Sequence, residues 1–221
     1  MHGEIFRDVA VALTTSYRMA STPAVDAGAT RRALIVIAVS QASRSRMQSD
    51  YVKRLVGYPS RVVDLSGLTR LEARAQCALV REAVVNRLSI PEACAVLARF
   101  SQTPGEKQMG VSGLVAHFSA TGPASLRSLD DPLADPLWDL LWRHYLPQRY
   151  GDGLSLREIA RRTHMSKSAL SRRADELAHD LDALEQQALK SLEHSFVPEG
   201  LCEALLARID STPSGSVKQT A

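Results

Sequence analysis

The sequence predicts an all-α fold, and three observations support this prediction. Of the 221 residues, 45% are hydrophobic but only 5% are aromatic, and the helix-favouring residues Ala, Leu and Arg dominate the composition. Apolar residues recur at helical spacing in several windows, most of which open with a serine or threonine that can cap a helix. Runs of β-branched residues, which would favour strands, are rare.

Composition and charge narrow the classes of function. The net charge is only +3, so a nucleic-acid partner has to be argued from where the basic residues lie. Cys77, Cys94 and Cys202 are too far apart for a C-x-x-C motif, which indicates reduced thiols in a cytoplasmic protein. The longest apolar run, Ala33–Val39, is far shorter than the ~20 residues of a membrane-spanning helix. We therefore expect no membrane partner.

Nothing in the sequence indicates catalysis or a cofactor. The chain has no glycine-rich phosphate-binding loop, and its histidines lack a metal-ligand spacing with cysteine. The glutamates of the N-terminal half are expected to be solvated charges on helix surfaces. We therefore predict no catalytic residues, no metal and no cofactor, and a protein that is not an enzyme.

We divide the chain into five segments. Residues 1–46, which include linker-like stretches such as "STPAVDAGAT", are expected to be a poorly defined N-terminal extension. A helical domain covers 47–120, and a linker rich in Gly, Pro, Ser and Asp covers 121–132. A second domain with a long helical arm covers 133–210, and 211–221 is expected to be a disordered tail.

The helical domain contains three predicted helices. In the first, Thr69 and Glu72 form a capping-box pattern. An apolar stripe at helical spacing follows, as expected for a core face, and comprises Leu71, Ala75, Ala78, Leu79 and Glu82–Val85. The second helix begins after Ser89, with Pro91 in its first turn. The third, "PGEKQMGVSGLVAHFS", is weakened by two glycines.

The second domain opens with "PLWDLLWRHYL", whose tryptophans we expect in the core, and then shows two short helical patterns. Ser155 can cap the first and Ser166 the second, with Thr163–Met165 as the turn between them. The residues expected to face inward are Leu156, Ile159, Ala160, Ala169, Leu170, Ala174 and Leu177. The small residue Ala160 lies where the two helices would cross and allows them to approach at a steep angle. This pattern therefore predicts a helix-turn-helix unit.

Charge placement within this unit indicates DNA as the partner. Between Ser155 and Arg173 there are six basic residues and one acidic residue, a balance of +5. The second helix of such a unit can enter the major groove with its N-terminal residues at base edges. We predict base reading by Lys167, Ser168, Ala169, Ser171 and Arg172. We predict phosphate contacts from Arg157, Arg161, Arg162, Ser166 and Arg173. The alternative is a helix pair with a basic, solvated face.

The segment "LSLREIARRTHMSKSALSRRADEL" resembles the helix-turn-helix of sigma factor region four. The matching positions are Ser155, Leu156, Glu158, Ile159, Ala160, Ser166, Ser168 and Leu170. One position departs from the pattern, because His164 stands at a turn position that is usually glycine, where a left-handed backbone would be somewhat strained. The resemblance implies the fold unit and double-stranded DNA as a partner, but not a biological role.

Two broader resemblances suggest a context. The stretch "VVNRLSIPEACAVLARF" is similar to the start of a helical pair in the same family, so residues 47–120 are interpreted as a degenerate sigma-like unit. The build of residues 47–205 is similar to small phage and prophage transcription regulators, including Q-type late-gene antitermination proteins. That similarity implies binding near a promoter followed by loading onto RNA polymerase.

The second helix of the unit is predicted to continue as a long arm. Its apolar residues alternate in steps of four and three, which is a heptad seam, and the arm is mostly acidic. We expect the seam residues Leu177, Leu181 and Leu184 to pack within the chain. The open alternatives are a homodimer and docking on a partner such as RNA polymerase.

The predicted function is therefore a sequence-specific, DNA-binding transcription regulator, with a late-gene antiterminator as its more specific form. One alternative is a protein associated with a DNA recombinase or transposase. The other is a protein-interaction module whose basic face meets an acidic partner.

Overall fold

The described part of the chain is all-α, as predicted. The computed structural model describes residues 5–22, 62–65, 68–129, 135–146 and 153–203. These residues form eight helices and no strand. The helices are α1 (Val9–Ser21), α2 (Arg70–Arg87), α3 (Ile90–Phe100), α4 (Pro104–Thr121), α5 (Ala124–Arg127), α6 (Pro136–Tyr145), α7 (Leu156–Thr163) and α8 (Lys167–Phe196). The apolar run Ala33–Val39 and the tail 211–221 lie outside the described residues. Among the described helices, none is both long enough and apolar enough to cross a membrane.

The predicted helix starts in the N-terminal half are confirmed by their caps. The Thr69 hydroxyl accepts from the Glu72 backbone N–H at 3.2 Å, and the Thr69 N–H donates to the Glu72 carboxylate at 2.7 Å. The Ser89 N–H likewise donates to the Glu92 carboxylate at 2.8 Å. These local bonds satisfy backbone donors that a helix start otherwise leaves unpaired. Because they involve residues only three positions apart, the sequence alone located these helix starts.

The predicted core face of α2 is wrong for most of its length. Leu71 is 79% exposed, Leu79 54% and Val85 70%. The buried residues of α2 are Ala73, Cys77, Val80, Ala83 and Val84. Both faces of this helix carry apolar residues, so periodicity alone did not determine which face turns inward. The neighbouring α1 selects the face that contains Cys77 and Val80.

The helices α3 and α4 form a close antiparallel pair. A Cβ atom on Gly110 would lie 2.6 Å from the Ala98 backbone nitrogen, so only glycine allows this approach. The glycines that weakened α4 as a sequence prediction are therefore what allows its packing against α3.

The buried side chains form two cores. The first core combines residues of α3 and α4 with the C-terminal helices, and contains Ala95, Ala98, Val111, Leu114, Phe118, Leu126, Leu129, Leu137, Leu140, Leu141, Tyr145, Ile159, Leu170, Leu177 and Leu181. The second core contains Phe6, Val9, Ala12, Leu13, Tyr17, Cys77, Val80, Ala83, Val84, Val96, Ala188, Leu192, Phe196 and Cys202. Because α3 and α8 contribute to both, the cores do not follow the expected division at 121–132.

The N-terminal residues are part of the second core, which differs from the expected loose extension. Phe6 is 1% exposed and its N–H donates to the Leu201 carbonyl at 2.9 Å. It also forms isolated β-bridges with Val63 and Cys202. Residues 5–22 therefore join distant parts of the chain, a role that their local composition did not reveal.

The expected linker is also packed through residue 129. Leu126 of α5 and Leu129 just after it are both fully buried in the first core. Residues 130–134 of that segment lie outside the described residues. The Gly, Pro and Ser composition identified a break between helices but did not show that two leucines anchor the connection.

Candidate nucleic-acid interface

Two capped helices joined by a short turn lie between Ser155 and the first turns of α8, at the positions expected from the sequence. The Ser155 hydroxyl accepts from the Glu158 N–H at 3.2 Å, and the Ser166 hydroxyl accepts from the Ala169 N–H at 3.2 Å. His164 ends α7 with φ 55° and ψ 20°, which is the left-handed conformation. The turn between the two helices thus contains His164 in a backbone conformation that is sterically unfavourable for residues other than glycine.

The inner faces of the two helices pack on the first core. Ile159, Leu170 and Leu177 are buried, each with at most 1% exposure. Leu156, Ala160 and Ala174 are partly buried against the same core. The buried face fixes the rotation of α8 about its axis, so the opposite face of its first turns is directed toward solvent.

That outer face carries the residues predicted to read bases. Lys167, Ser168 and Arg172 are exposed, whereas Ala169 and Ser171 are half-buried. Lys167 and Arg172 have no hydrogen-bond or ion-pair partner among the described residues. Both cations are therefore available to an external anion.

The residues predicted to hold phosphates fall into two groups. Arg157 is exposed and has no partner within the described part of the chain. Ser166 is exposed but its hydroxyl caps α8, and Arg161 pairs with Glu158 one turn earlier on α7. The Arg161 pair is exposed and local, so it would be weak in water and could be exchanged for a phosphate.

Arg162 and Arg173 are instead held by the protein. Arg162 donates to the Asp139 carboxylate of α6 at 2.7 Å and to the Gly153 carbonyl at 3.2 Å. Arg173 donates to the Ser128 hydroxyl at 2.7 Å. Burial raises the pKa of Asp139, and the Arg162 guanidinium opposes that rise. These two arginines therefore position the helix pair on α6 and on the end of α5, in addition to any contact with phosphate.

The positioning partners were missed from the sequence. Asp139 lies 23 positions before Arg162, and Ser128 lies 45 before Arg173. No local pattern joins residues so far apart. Arg143 was missed in the same way: it donates to the Leu154 carbonyl at 3.0 Å and so holds the approach to α7.

The acidic arm of α8 lies partly against the protein. The Glu176 carboxylate accepts from the Ser125 hydroxyl at 2.7 Å, and Glu185 lies 3.7 Å from the Arg99 guanidinium of α3. The seam residues Leu177 and Leu181 are buried in the first core, and Leu184 is partly buried against it. The seam therefore packs within the chain.

A buried polar group accompanies this packing. Burial raises the pKa of Glu185 above its usual range, although the nearby Arg99 guanidinium opposes the rise. Burial also raises the pKa of Tyr145, and the adjacent Glu185 carboxylate raises it further. These groups lie between α3, α6 and α8. They are away from the exposed first turns of α8, residues 167–172, which we call its head.

Comparison with protein-family models gives no match to this chain, and comparison with curated proteins gives none either. The interface is therefore interpreted from its own geometry and charge.

Proposed function

We propose that this chain is a sequence-specific regulator of transcription that binds double-stranded DNA through α7 and α8. The observation that carries the proposal is the exposed start of α8, where Lys167 and Arg172 project without partners from a helix whose rear face is locked in the core. Such a helix fits the major groove of DNA, and arginine can bind guanine through two hydrogen bonds.

Electrostatics support the same proposal. Three cations of α7 and α8 have no partner among the described residues, namely Arg157, Lys167 and Arg172. The acidic residues Glu176 and Glu185 of α8 are instead engaged with α5 and α3. The positive end of the α8 helix dipole points the same way as Lys167, which further favours an anionic partner. The proposal places the protein with the DNA, in the cytoplasm.

The first test is binding of the full chain to a random-sequence duplex, measured by fluorescence anisotropy at 50 mM and 200 mM salt. Three phosphate contacts would weaken binding by about 40-fold over this range. Absence of binding at the lower salt concentration would reject the proposal and favour a basic face that meets an acidic protein.

The more specific proposal is antitermination, in which the DNA-bound protein loads onto RNA polymerase. It rests on the similarity of the build of residues 47–205 to Q-type late-gene antitermination proteins. Footprinting of the tagged protein across the genome, with polymerase positions mapped in the same cells, tests it. Occupancy that starts at one promoter and extends into the transcribed region is expected, whereas occupancy restricted to the promoter would indicate a repressor or activator.

A further inference from the structure

The short helix α5 is attached to the side of α8 close to its exposed head. The Ser125 hydroxyl donates to Glu176, and Arg173 donates to the Ser128 hydroxyl, each at 2.7 Å. Two hydrogen bonds thus join this four-residue helix and the residue that follows it to consecutive turns of α8. Leu126, between them, is fully buried in the first core. The position of α5 beside α8 is therefore fixed by both polar and apolar contacts.

One residue of α5 has no role in this attachment. Arg127 lies between the buried Leu126 and the bonded Ser128, and its side chain is exposed. It has no hydrogen-bond or ion-pair partner among the described residues. An exposed cation therefore directly precedes the residue that bonds Arg173, on an anchored backbone, and its charge is available to an external group.

The geometry of the major groove indicates what that group is. The groove is about 12 Å wide, and an α-helix with its side chains is about 10–12 Å across. A recognition helix therefore fills the groove, and an element at its side lies over the sugar-phosphate backbone. Arg173, which contacts α5, lies one residue and so about 100° around the helix axis from Arg172. If Arg172 points to the base edges, α5 lies toward the flanking strand.

We propose that Arg127 is a DNA-phosphate contact and that α5 forms a second part of the DNA footprint, outside the helix-turn-helix. This inference rests on the proposed function and extends it. Arg127 would hold a phosphate of the strand that borders the groove, while Arg173 and Ser128 keep α5 at the correct distance. Because the contact is to the backbone, it adds affinity and orientation and no sequence preference.

The test uses the full chain with a random-sequence duplex of 30 base pairs, and measures affinity by fluorescence anisotropy between 50 mM and 300 mM salt. The variants are Arg127→Ala, Arg127→Lys, Arg172→Ala and, as a matched control, Arg18→Ala. Arg18 is an exposed arginine of α1, the helix that packs in the second core. Circular dichroism checks that each variant has the helical content of the parent.

The expected result is that Arg127→Ala lowers the slope of log affinity against log salt by about 0.9, the value for one phosphate contact. Arg127→Lys should restore the slope, and Arg18→Ala should not change it. If Arg127→Ala behaves like Arg18→Ala while Arg172→Ala weakens binding, the inference is wrong and the proposed function stands. If the parent protein itself does not bind the duplex, both are rejected.

Discussion

The two ends of α8 differ in what they contact, although they belong to one continuous helix. From Lys167 to Arg172 its outer positions are polar and exposed. From Leu177 to Phe196 its apolar side is buried, first in one core and then in the other. A helix is a rod whose hydrogen bonds run along its whole length. Packing at the far end therefore helps to set the direction in which the exposed head points.

The buried end of α8 therefore contributes to stability, whereas its exposed end is the part that we propose binds DNA. Changes at the buried end should lower the free energy of unfolding, whereas changes at the exposed head should lower affinity for DNA and leave the fold intact. Five substitutions test and sharpen that separation, in decreasing order of expected effect.

Phe196→Ala should have the largest effect. Phe196 is fully buried at the last residue of α8, and loss of a buried phenylalanine side chain costs about 3–5 kcal/mol through lost burial and the cavity left behind. Urea denaturation followed by circular dichroism measures the change. Lys190→Ala, at an exposed position of the same helix, is the control and should change stability by less than about 0.5 kcal/mol. Equal stability of the two variants would contradict the buried role of this end.

Arg172→Ala should reduce affinity and leave stability unchanged. An arginine that reads a base contributes about 1–3 kcal/mol of discrimination, so binding to a selected target site should fall roughly 5- to 150-fold. Binding to unrelated duplexes should fall less. A uniform loss on every duplex would assign Arg172 to phosphate, and a lower melting temperature would show that the head and the core are not separable.

Arg162→Ala is the informative comparison for that experiment. Because Arg162 holds Asp139 and Gly153, its loss should also alter how the helix pair sits on α6. It should therefore weaken binding and lower the melting temperature together.

His164→Gly should stabilise the protein slightly. His164 has φ 55°, a backbone conformation that costs most residues about 1–2 kcal/mol and glycine almost nothing. Glycine also has greater conformational entropy in the unfolded chain, which offsets part of this gain. The expected net increase in the free energy of unfolding is below about 1 kcal/mol. His164→Val is the opposing control, since a β-branched residue is least tolerated there. Loss of stability in the glycine variant would mean that the His164 side chain makes a contact that outweighs the strain.

Glu185→Gln should have the smallest effect, and it should depend on pH. Burial raises the pKa of Glu185 in the folded protein above the ordinary value of 4.5. Ionisation of this carboxyl therefore lowers stability as the pH rises through the folded pKa, and the cost is absent below the unfolded pKa. At pH 7 the free energy of unfolding of the glutamine variant should exceed that of the parent. The difference should be less than about 1 kcal/mol, because Arg99 offsets part of the cost of ionisation. The difference should vanish toward pH 4. A difference of constant size across this range would exclude ionisation as its cause.

Much of the candidate site follows from local pattern. The caps Ser155 and Ser166, the left-handed turn at His164 and the inward residues Ile159 and Leu170 each depend on residues within four positions of one another. Such short-range rules hold because backbone donors at helix starts must be satisfied nearby. The exposure of Lys167 and Arg172 then follows from the burial of the opposite face.

The remaining features depend on contacts between distant residues. Which face of α2 turns inward was predicted incorrectly because Leu71 and Cys77 lie on different faces that are both apolar, and only α1 distinguishes them. The roles of Arg162 and Arg173 were likewise invisible, since their partners Asp139 and Ser128 belong to other helices and connections.

The sequence by itself determined the all-α class, the helix starts and the capped helix pair of α7 and α8, because each is encoded by spacing and capping within a few residues. The tertiary structure alone decided that residues 5–22 enter a core, that α5 is anchored beside α8, and which buried residues of its own chain surround the seam of α8. The physical reason is that burial is a property of pairs of surfaces. An amphipathic helix specifies that one face must be covered, and only the folded chain specifies which partner covers it.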